Sequence, residues 1–481
     1  MEKLAQPDDA HPTAPPAGQS KKDADRREAN VILVRRPSLI FRRGVFPMKR
    51  VLLSSVALAA AVGLLGALAV PTGAAIKAGD WPAWRGPSAN GSTASGDFPT
   101  RWTPDQAAWK VALPGNGVST PIAAGDRIYL TTPAEGQDSV LALDRSGKQL
   151  WLTRLGPESP ARHRTLASSC NASPVTDGEG LFVRFRSGRV AALDLDGKVR
   201  WQLSLEEKYG PEKLYWDAGS SPVVTRDCVV ITRMHQGESW VAGFDKKTGE
   251  ERWLRKRNYP CPSENDNGYA TPVFFKQGGK DAFLLWGSDR LTAHAANDGA
   301  LLWECAGFNP NEMKNWPAIA TPVIHKGIAV VPVGRDDRPN QGKLHGIRIG
   351  GSGDITASNR LWQRDDLGVF CCTPVEYQGK IYLLRHRGGV ACVDPATGKT
   401  IWEEAFPRAS SSFYASPVIA NGILYAARED GMIFTARVGE TFELLGENPM
   451  GERVLASPIP THDGILIRGD KNLFFFTAKK N

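Results

Sequence analysis

The sequence predicts an all-β protein, an eight-bladed β-propeller with four antiparallel strands in each blade. Three observations lead to this fold class. A proline motif occurs eight times at even spacing, a tryptophan motif alternates with it, and 49 glycines and 34 prolines are spread along the 481 residues. So many turn-forming residues are typical of short strands joined by tight turns rather than of long helices. Repeated units of roughly 48 residues with four short strands each are typical of a propeller.

The proline motif consists of a small residue, then Ser or Thr, then Pro, then Val or Ile. Its prolines are Pro121, Pro174, Pro222, Pro272, Pro322, Pro374, Pro417 and Pro458. Consecutive prolines are 41 to 53 residues apart, which indicates one repeated structural unit instead of the separate domains that length alone suggests. Because proline cannot donate to a strand ladder, we expect each one to lie at the start of a strand.

The tryptophan motif is an acidic residue, a glycine turn, and Trp four residues after the glycine. Its clearest copy is Asp194, Gly197 and Trp201. The other copies contain Trp151, Trp253, Trp303, Trp362 and Trp402, and a seventh has Leu444 and Leu445 instead. We expect these indoles to pack between blades, because a buried Trp removes up to about 250 Å² from water. Replacing Trp201 or Trp402 by Ala is therefore expected to lower thermal stability more than replacing Trp81.

One unit displays its four strands directly. The β-rich runs are Thr373–Tyr377, Ile381–His386, Gly389–Asp394 and Thr400–Ala405. Turn residues separate these runs, so we predict four antiparallel strands joined by tight connections.

The ring is predicted to close by pairing its two ends. The segment Trp109–Leu113 has strand character and precedes the first proline motif with no blade before it. The last unit, after Pro458, lacks a tryptophan strand of its own. We expect the N-terminal strand to complete the last blade, which protects both terminal edges from pairing with other chains.

Three segments precede the propeller, which is assigned to residues 109–481. Residues 1–47 are polar and rich in proline, and we interpret them as a disordered extension or a start site assigned too early. Residues 48–75 combine a basic start, an apolar run and small residues, as a signal peptide does. A retained signal anchor is the alternative, and it would be the only membrane contact. We expect a periplasmic or secreted protein in which 76–108 forms an N-terminal strap.

The charge balance argues against a nucleic-acid partner. The formal net charge is +8, but residues 1–50 hold 11 Lys and Arg against 6 Asp and Glu, which accounts for +5. The other 431 residues hold 48 basic and 45 acidic side chains, or +3. A nearly neutral body lacks the basic surface that phosphate backbones attract, so we predict no nucleic-acid partner.

The motifs resemble the pyrroloquinoline-quinone (PQQ)-like repeat. The resemblance rests on the Ala-Ser/Thr-Pro-Val starts and the Asp…Thr-Gly-Lys…Trp ends, and it covers Trp109 to the C-terminus. The segment Trp81–Pro87 (Trp-Pro-Ala-Trp-Arg-Gly-Pro) is similar to the N-terminal signature of a group of exported bacterial proteins with this repeat. The resemblance implies a quinoprotein-dehydrogenase-like propeller, a fold that serves redox enzymes, assembly scaffolds and proteins of unknown role.

One function that the resemblance implies is a PQQ- and calcium-dependent dehydrogenase. Some of these enzymes hold a disulfide between adjacent cysteines against the quinone, and Cys371 and Cys372 are adjacent here. At a strand start, alternation points such side chains to opposite faces, which favours packed core residues. The run Glu264–Asn267 offers oxygen ligands but is typical of a solvated turn, and the sequence has no Cys-x-x-Cys-His haem motif. We therefore predict no catalytic residue, metal or cofactor, with PQQ and calcium as the alternative.

The residues just before each proline motif are candidates for a binding site, because inner propeller strands start near the axis. They combine aromatic, amide and acidic side chains, as ligand pockets do. The candidates are Asn171, Trp216, Asp217, Asn267, Tyr269, Asn315, Trp316, Phe370, Phe413 and Tyr414. Such a site suits a protein or carbohydrate partner at the propeller mouth.

The predicted function is a non-catalytic binding or scaffold platform. The alternatives are the PQQ-dependent dehydrogenase and an outer-membrane protein assembly factor, as in lipidated relatives with this repeat. No cysteine follows the apolar run, since the first is Cys170, and this counts against a lipidated N-terminus.

Overall fold

The structure, a computed structural model, describes residues 76–163, 165–462 and 464–478. The predicted extension 1–47 and signal peptide 48–75 lie outside these residues. Within the described part of the chain, no helix has both the length and the apolar character needed to cross a membrane. The helices are short: Pro104–Gln106 (3-10), Leu205–Tyr209 and Thr356–Asn359.

The described chain forms eight sheets around one axis, as the repeat predicts, and every blade has four antiparallel strands. Blade 1 consists of Ile122–Ala124, Arg127–Ala134, Gln137–Asp144 and Gln149–Pro157. Blade 2 consists of Val175–Thr176, Leu181–Arg184, Arg189–Leu193 and Val199–Ser204. Blade 3 consists of Val223–Val224, Cys228–Arg233, Trp240–Asp245 and Glu251–Lys256. Blade 4 consists of Val273–Gln277, Lys280–Gly287, Arg290–Ala295 and Leu301–Cys305, with Gly353–Asp354 added in parallel.

The second half of the ring continues in the same order. Blade 5 consists of Val323–His325, Ile328–Gly334, Gly342–Arg348 and Arg360–Arg364. Blade 6 consists of Val375–Tyr377, Lys380–Leu384, Gly389–Val393 and Thr400–Ala405, each end within two residues of the prediction. Blade 7 consists of Val418–Ala420, Ile423–Ala427, Met432–Val438 and Phe442–Pro449. Blade 8 consists of Ile459–Thr461, Gly464–Arg468, Asn472–Thr477 and, outermost, Trp109–Ala112.

The two ends of the ring pair with each other, as predicted. Trp109–Ala112 lies antiparallel to Asn472–Thr477, with Trp109 opposite Phe475. The rings of these two residues stack with their centroids 5.5 Å apart. The pairing covers the edge that the third strand of blade 8 would otherwise present to other chains.

The Ser or Thr of the proline motif links neighbouring blades. The backbone N–H of Thr271, for example, donates to the Thr321 hydroxyl at 3.1 Å. The same bond, at 2.9 to 3.3 Å, connects in order Thr120, Ser173, Ser221, Thr271, Thr321, Thr373 and Ser416, and connects Ser457 to Thr120. This hydroxyl ring satisfies backbone donors close to the axis and holds the inner strands in register.

The repeated tryptophans pack between blades. The indole N–H of Trp151 donates to Leu195 O in the next blade at 3.0 Å, and the ring lies against Gly197. The tryptophans that donate to a following blade in the same way are Trp109, Trp201, Trp362 and Trp402. Each of these indoles therefore combines burial with a satisfied N–H at a blade interface.

Candidate functional site

A funnel runs along the propeller axis. Its narrow part is lined by one residue of each blade, always two positions before the Ser or Thr of the proline motif. These residues are Val118, Asn171, Gly219, Tyr269, Ile319, Cys371, Tyr414 and Leu455. The hydroxyl ring lies next to these residues along the channel. The position within the repeat therefore determines which residue of each blade lines the axis.

The funnel widens at its mouth into a cavity of about 350 Å³. Aromatic side chains from blades 3 and 4 (Trp216 and Tyr269) face those from blades 6 and 7 (Phe370 and Tyr414) across the ring. The polar side chains that join them at the mouth are Glu264, Arg335, Asp337 and His386. The cavity thus combines flat apolar surfaces with charged groups at the point where the blades converge.

Residues before the first blade cover the other end of the axis. Trp84 lines the end of the channel. The buried Arg85 guanidinium donates from Nη1 to Pro417 O at 2.5 Å and from Nη2 to Pro374 O at 2.8 Å, and burial lowers the pKa of Arg85 to about 9. Ser92–Thr93 then pairs in parallel with the inner strand of blade 7. A ligand would therefore approach the axis from the mouth.

Five of the ten residues predicted as a binding site line the cavity. They are Asn171, Trp216, Tyr269, Phe370 and Tyr414. Neighbours hold several of these rings: the Tyr269 hydroxyl accepts a hydrogen bond from the backbone N–H of Trp216 at 3.1 Å. Phe370 and Tyr414 stand edge-on to His386, with centroids 6.0 and 5.1 Å away. These contacts fix the orientation of the aromatic surfaces.

The other five predicted residues lie outside the cavity lining. They are Asp217, Asn267, Asn315, Trp316 and Phe413. Trp316 and Phe413 are buried in blade cores, with 5% and 1% of their surface exposed. Asp217 is held by an ion pair with Arg186. The backbone N–H of Asn267 donates to Glu264 O in the same loop, and that of Asn315 donates to Ser263 O in the neighbouring loop. The loops before the blades differ in length, so nearness to the proline motif in sequence does not set the direction of a side chain.

Three polar residues of the cavity are absent from the set predicted from the sequence, namely Arg335, Asp337 and His386. Glu264, which also lines the cavity, was expected in a solvated turn. A signal was present in the charged run Arg335–Arg338, which separates the second and third strands of blade 5. Because the inner strand leaves the mouth and the second strand returns to it, the connection after the second strand lies on the mouth side. That topology identifies the run as part of the site.

Arg335 and Asp337 form a two-pronged ion pair in the cavity. Arg335 Nε lies 2.9 Å from Asp337 Oδ1 and Nη2 lies 2.6 Å from Oδ2. Burial acts to raise the pKa of Asp337, but the hydrogen bond and charge of Arg335 hold that pKa below its usual value. The guanidinium also lies over the Phe370 ring, 4.3 Å from its centroid. Burial lowers the pKa of His386, so this side chain is neutral near pH 7.

Cys371 and Cys372 point in different directions. Both are free thiols. Cys371 lines the funnel, whereas Cys372 is buried in the core of blades 6 and 7, with Sγ 3.4 Å from Phe413 O and 3.3 Å from Ala415 O. The strand of blade 6 begins only at Val375, so the expected opposite orientation occurs just before the strand instead of within it.

The side chains that line the cavity do not form a cage for the calcium ion that the resemblance allows. Among the residues that the structure describes, no group of three or more His, Cys, Asp or Glu side chains is placed to hold a metal ion. In the run Glu264–Asn267, the side-chain amide of Asn265 donates to the Asp289 carboxylate and accepts from the backbone N–H of Trp316. This amide is therefore committed to the structure of its loop. Asp337 is likewise committed to Arg335, so neither Asn265 nor Asp337 is free to hold a calcium ion beside the Cys371 thiol.

The chain was compared with known families and proteins. A profile of the family described as "Outer membrane protein assembly factor BamB" matches residues 102–260 and 237–472, most of the propeller. The chain belongs to this family. An outer membrane protein assembly factor BamB from Moranella endobia is 25% identical over 313 residues, which are 62% of this chain and 72% of the relative. A BamB from Marinobacter adhaerens is 31% identical over 97 residues, 20% of this chain and 23% of the relative.

Solved structures share the fold of this BamB-family chain. BamB from Moraxella catarrhalis covers 77% of this chain and 99% of its own length, with 14% identity and a TM-score of 0.56. A europium-containing methanol dehydrogenase covers 84% and 98%, with 13% identity and a TM-score of 0.62. The quinohemoprotein alcohol dehydrogenase from Comamonas testosteroni covers 84% and 81%, with 14% identity and a TM-score of 0.59. At these identities the similarity establishes the PQQ-like propeller fold and no activity.

Proposed function

We propose that this protein is an exported, non-catalytic binding platform whose ligand enters the cavity at the mouth of the propeller. The observation that carries the proposal is the cavity of about 350 Å³, with aromatic rings on two sides and charged groups between them. Flat rings supply contact area and a few polar groups fix orientation, which is how binding sites discriminate ligands. The closed ring holds these groups on loops that are anchored by its strands.

A protein segment is the ligand that we favour over a carbohydrate. Membership of a family described as an outer membrane protein assembly factor supports a protein partner. The cavity leads into the narrow part of the funnel, so we propose that an extended segment lies across the mouth and inserts one side chain toward the axis. A carbohydrate stacked on Trp216 is the alternative, and it remains a separate outcome of the test.

The test is a binding measurement with purified exported protein. The probes are extended peptides with alternating aromatic and polar residues, and a set of soluble oligosaccharides. We expect Trp216→Ala to weaken peptide binding at least fivefold, as loss of an aromatic anchor does. The matched control is Phe274→Ala, because Phe274 is an aromatic side chain with a similar exposed fraction (36%) and lies on the inner strand of blade 4, outside the cavity lining. Equal affinity of both variants and the wild type would contradict a binding site at the mouth.

The PQQ-dependent dehydrogenase is the second candidate, supported by the fold shared with two dehydrogenases. The free thiols and the committed Asn265 and Asp337 side chains argue against it. Titration of the protein with PQQ in the presence of Ca²⁺ separates the two functions. We expect no saturable change in quinone absorbance, and stoichiometric quinone binding would favour the enzyme.

A further inference from the structure

We propose that the mouth cavity selects ligands that present a cationic group, such as the ammonium group of a lysine side chain in a protein segment. This inference rests on the proposed function and names the chemistry of the ligand at that site. It follows from two observations: Arg335 and Asp337 of the lining already bind each other, and Glu264 lies among aromatic side chains without a hydrogen-bond donor.

The charge of Arg335 is already neutralised within the protein. Its Nε and Nη2 donate to both oxygens of Asp337, at 2.9 and 2.6 Å, and its guanidinium lies over the Phe370 ring. This positive group is therefore committed to an internal anion and an internal aromatic face. A ligand carboxylate would have to compete with Asp337 for it.

The carboxylate of Glu264 accepts no hydrogen bond from such a partner, although its charge helps to raise the pKa of Arg335. It lines the cavity, and within residues 76–163, 165–462 and 464–478 it forms neither a side-chain hydrogen bond nor an ion pair. The residue also has a positive φ of 67°, which is uncommon for residues other than glycine, asparagine and aspartate. The lining thus contains one carboxylate with no hydrogen-bond donor of its own among the described residues.

The side chains that line the cavity carry one more negative than positive charge. The lining carries two carboxylates, Glu264 and Asp337, against the single guanidinium of Arg335, and His386 is neutral because burial lowers its pKa. Arg387, outside the lining, donates to Ser410 O and Ser412 Oγ. The described lining therefore has a net charge of −1.

The aromatic side chains suit the same kind of ligand. Trp216, Tyr269 and Tyr414 line the cavity together with Glu264, and the faces of aromatic rings attract cations. The stacking of Arg335 on Phe370 is an internal example of this contact in the same cavity. A carboxylate beside several aromatic rings favours the binding of ammonium groups and disfavours anions.

The first experiment compares three probes that share one ring, namely benzyltrimethylammonium, benzyl alcohol and benzoate. Their affinities for the wild-type protein are measured by calorimetry or ligand-observed NMR at one ionic strength. We expect the ammonium probe to bind about tenfold more tightly than benzoate, with the alcohol between them. Equal or weaker binding of the ammonium probe, including no binding of any of the three, overturns the inference.

The second experiment uses variants. Glu264→Gln is expected to weaken the ammonium probe about fivefold while leaving benzyl alcohol unchanged. Its matched control is Glu179→Gln, which removes the same charge from an exposed turn on the opposite face. A second variant, Trp216→Leu, removes an exposed ring without disturbing the core, and we expect a similar loss. Unchanged ammonium affinity in both Glu264→Gln and Trp216→Leu contradicts the inference.

The two proposals fail in different ways. A peptide that binds the mouth with equal affinity when its lysines are replaced by norleucine overturns the cationic preference and leaves the binding platform intact. A peptide whose affinity is unaffected by Trp216→Ala overturns the platform itself. Loss of affinity on norleucine replacement, together with sensitivity to Trp216→Ala, supports both.

Discussion

The indole of Trp151 occupies the space that a Cβ atom on Gly197 would need, since such an atom would lie 2.6 Å from Trp151 Cδ2. The glycine and the tryptophan of the sequence motif therefore meet across a blade interface and not within one unit. Gly197 packs on the Trp of the blade before it, and Trp201 packs on Gly249 of the blade after it. This alternation explains why both residues recur together in the sequence.

Replacing Gly197 by Ala is expected to destabilise the protein by about 2–4 kcal/mol, because the Cβ atom meets the Trp151 ring and the φ of +88° is strained for alanine. Thermal unfolding measures the effect. The control is Gly136→Ala, where φ is +71° but a Cβ atom meets nothing within 4 Å. Equal losses in the two variants would mean that backbone strain, and not the indole contact, requires the glycine.

The hydroxyl ring predicts that an isosteric Thr-to-Val substitution within it lowers the free energy of unfolding. Thr321→Val removes the acceptor for the Thr271 N–H and leaves that partly buried donor unpaired, which costs about 1–3 kcal/mol. Chemical denaturation measures the loss, and the exposed Thr441→Val is the matched control. If the two variants unfold at the same denaturant concentration, the ring contributes nothing to stability.

Arg85 is predicted to hold the segment before the first blade against blades 6 and 7. Arg85→Met fills a similar volume but cannot donate to Pro374 O and Pro417 O, so residues 90–93 should exchange their backbone hydrogens faster. Arg85→Lys keeps the charge but lacks the planar fork that reaches both carbonyls, and we expect an intermediate rate. Hydrogen exchange followed by mass spectrometry reports on this segment. Unchanged exchange in both variants would contradict the anchoring role.

Asp336 is predicted to make stability depend on pH. Burial raises its pKa to about 6, above the value of about 4 in an unfolded chain. The fold therefore favours the protonated carboxyl, and the contribution of Asp336 to stability falls as the pH rises from about 4 to about 6. Asp336→Asn removes this dependence while keeping an acceptor for the His386 N–H.

The stability of Asp336→Asn relative to the wild type should be greater at pH 7 than at pH 4, by on the order of 2 kcal/mol. Urea unfolding at both pH values measures the difference. The exposed Asp126→Asn serves as the control, because its side chain is 90% exposed and should show the same relative stability at both pH values. Parallel curves for wild type and Asp336→Asn would contradict the assignment.

The number of blades and the closure of the ring could be predicted from the sequence because both depend on the spacing of motifs and strands along the chain. The proline period sets the unit, and the unpaired strand Trp109–Ala112 sets the closure. The binding site could be predicted only in part. Tyr269 and Tyr414 occupy the fixed position two residues before the motif hydroxyl, whereas Trp316 and Phe413 follow loops whose course depends on tertiary packing.

The contribution of Trp81 to stability also could not be predicted from the sequence. Trp81 lies before the repeats, yet it is 2% exposed and belongs to the core of blades 1, 7 and 8, whereas Trp402 is only partly buried. Burial therefore predicts that Trp81→Ala lowers the melting temperature at least as much as Trp402→Ala, the reverse of the sequence expectation. A run of sequence repeats does not reveal which residues outside it pack into the core.

The most direct test of a ligand site at the mouth is a cysteine footprint. Cys371 lines the funnel, while Cys261 is half-buried in a different cavity, and burial raises the pKa of both thiols. Alkylation with N-ethylmaleimide is followed for each thiol by mass spectrometry, with and without a bound lysine-containing peptide, at a pH and reaction time at which both thiols of the free protein are alkylated. We predict that the peptide slows alkylation of Cys371 and leaves Cys261 unchanged. Equal alkylation of Cys371 with and without saturating peptide would contradict binding at the mouth.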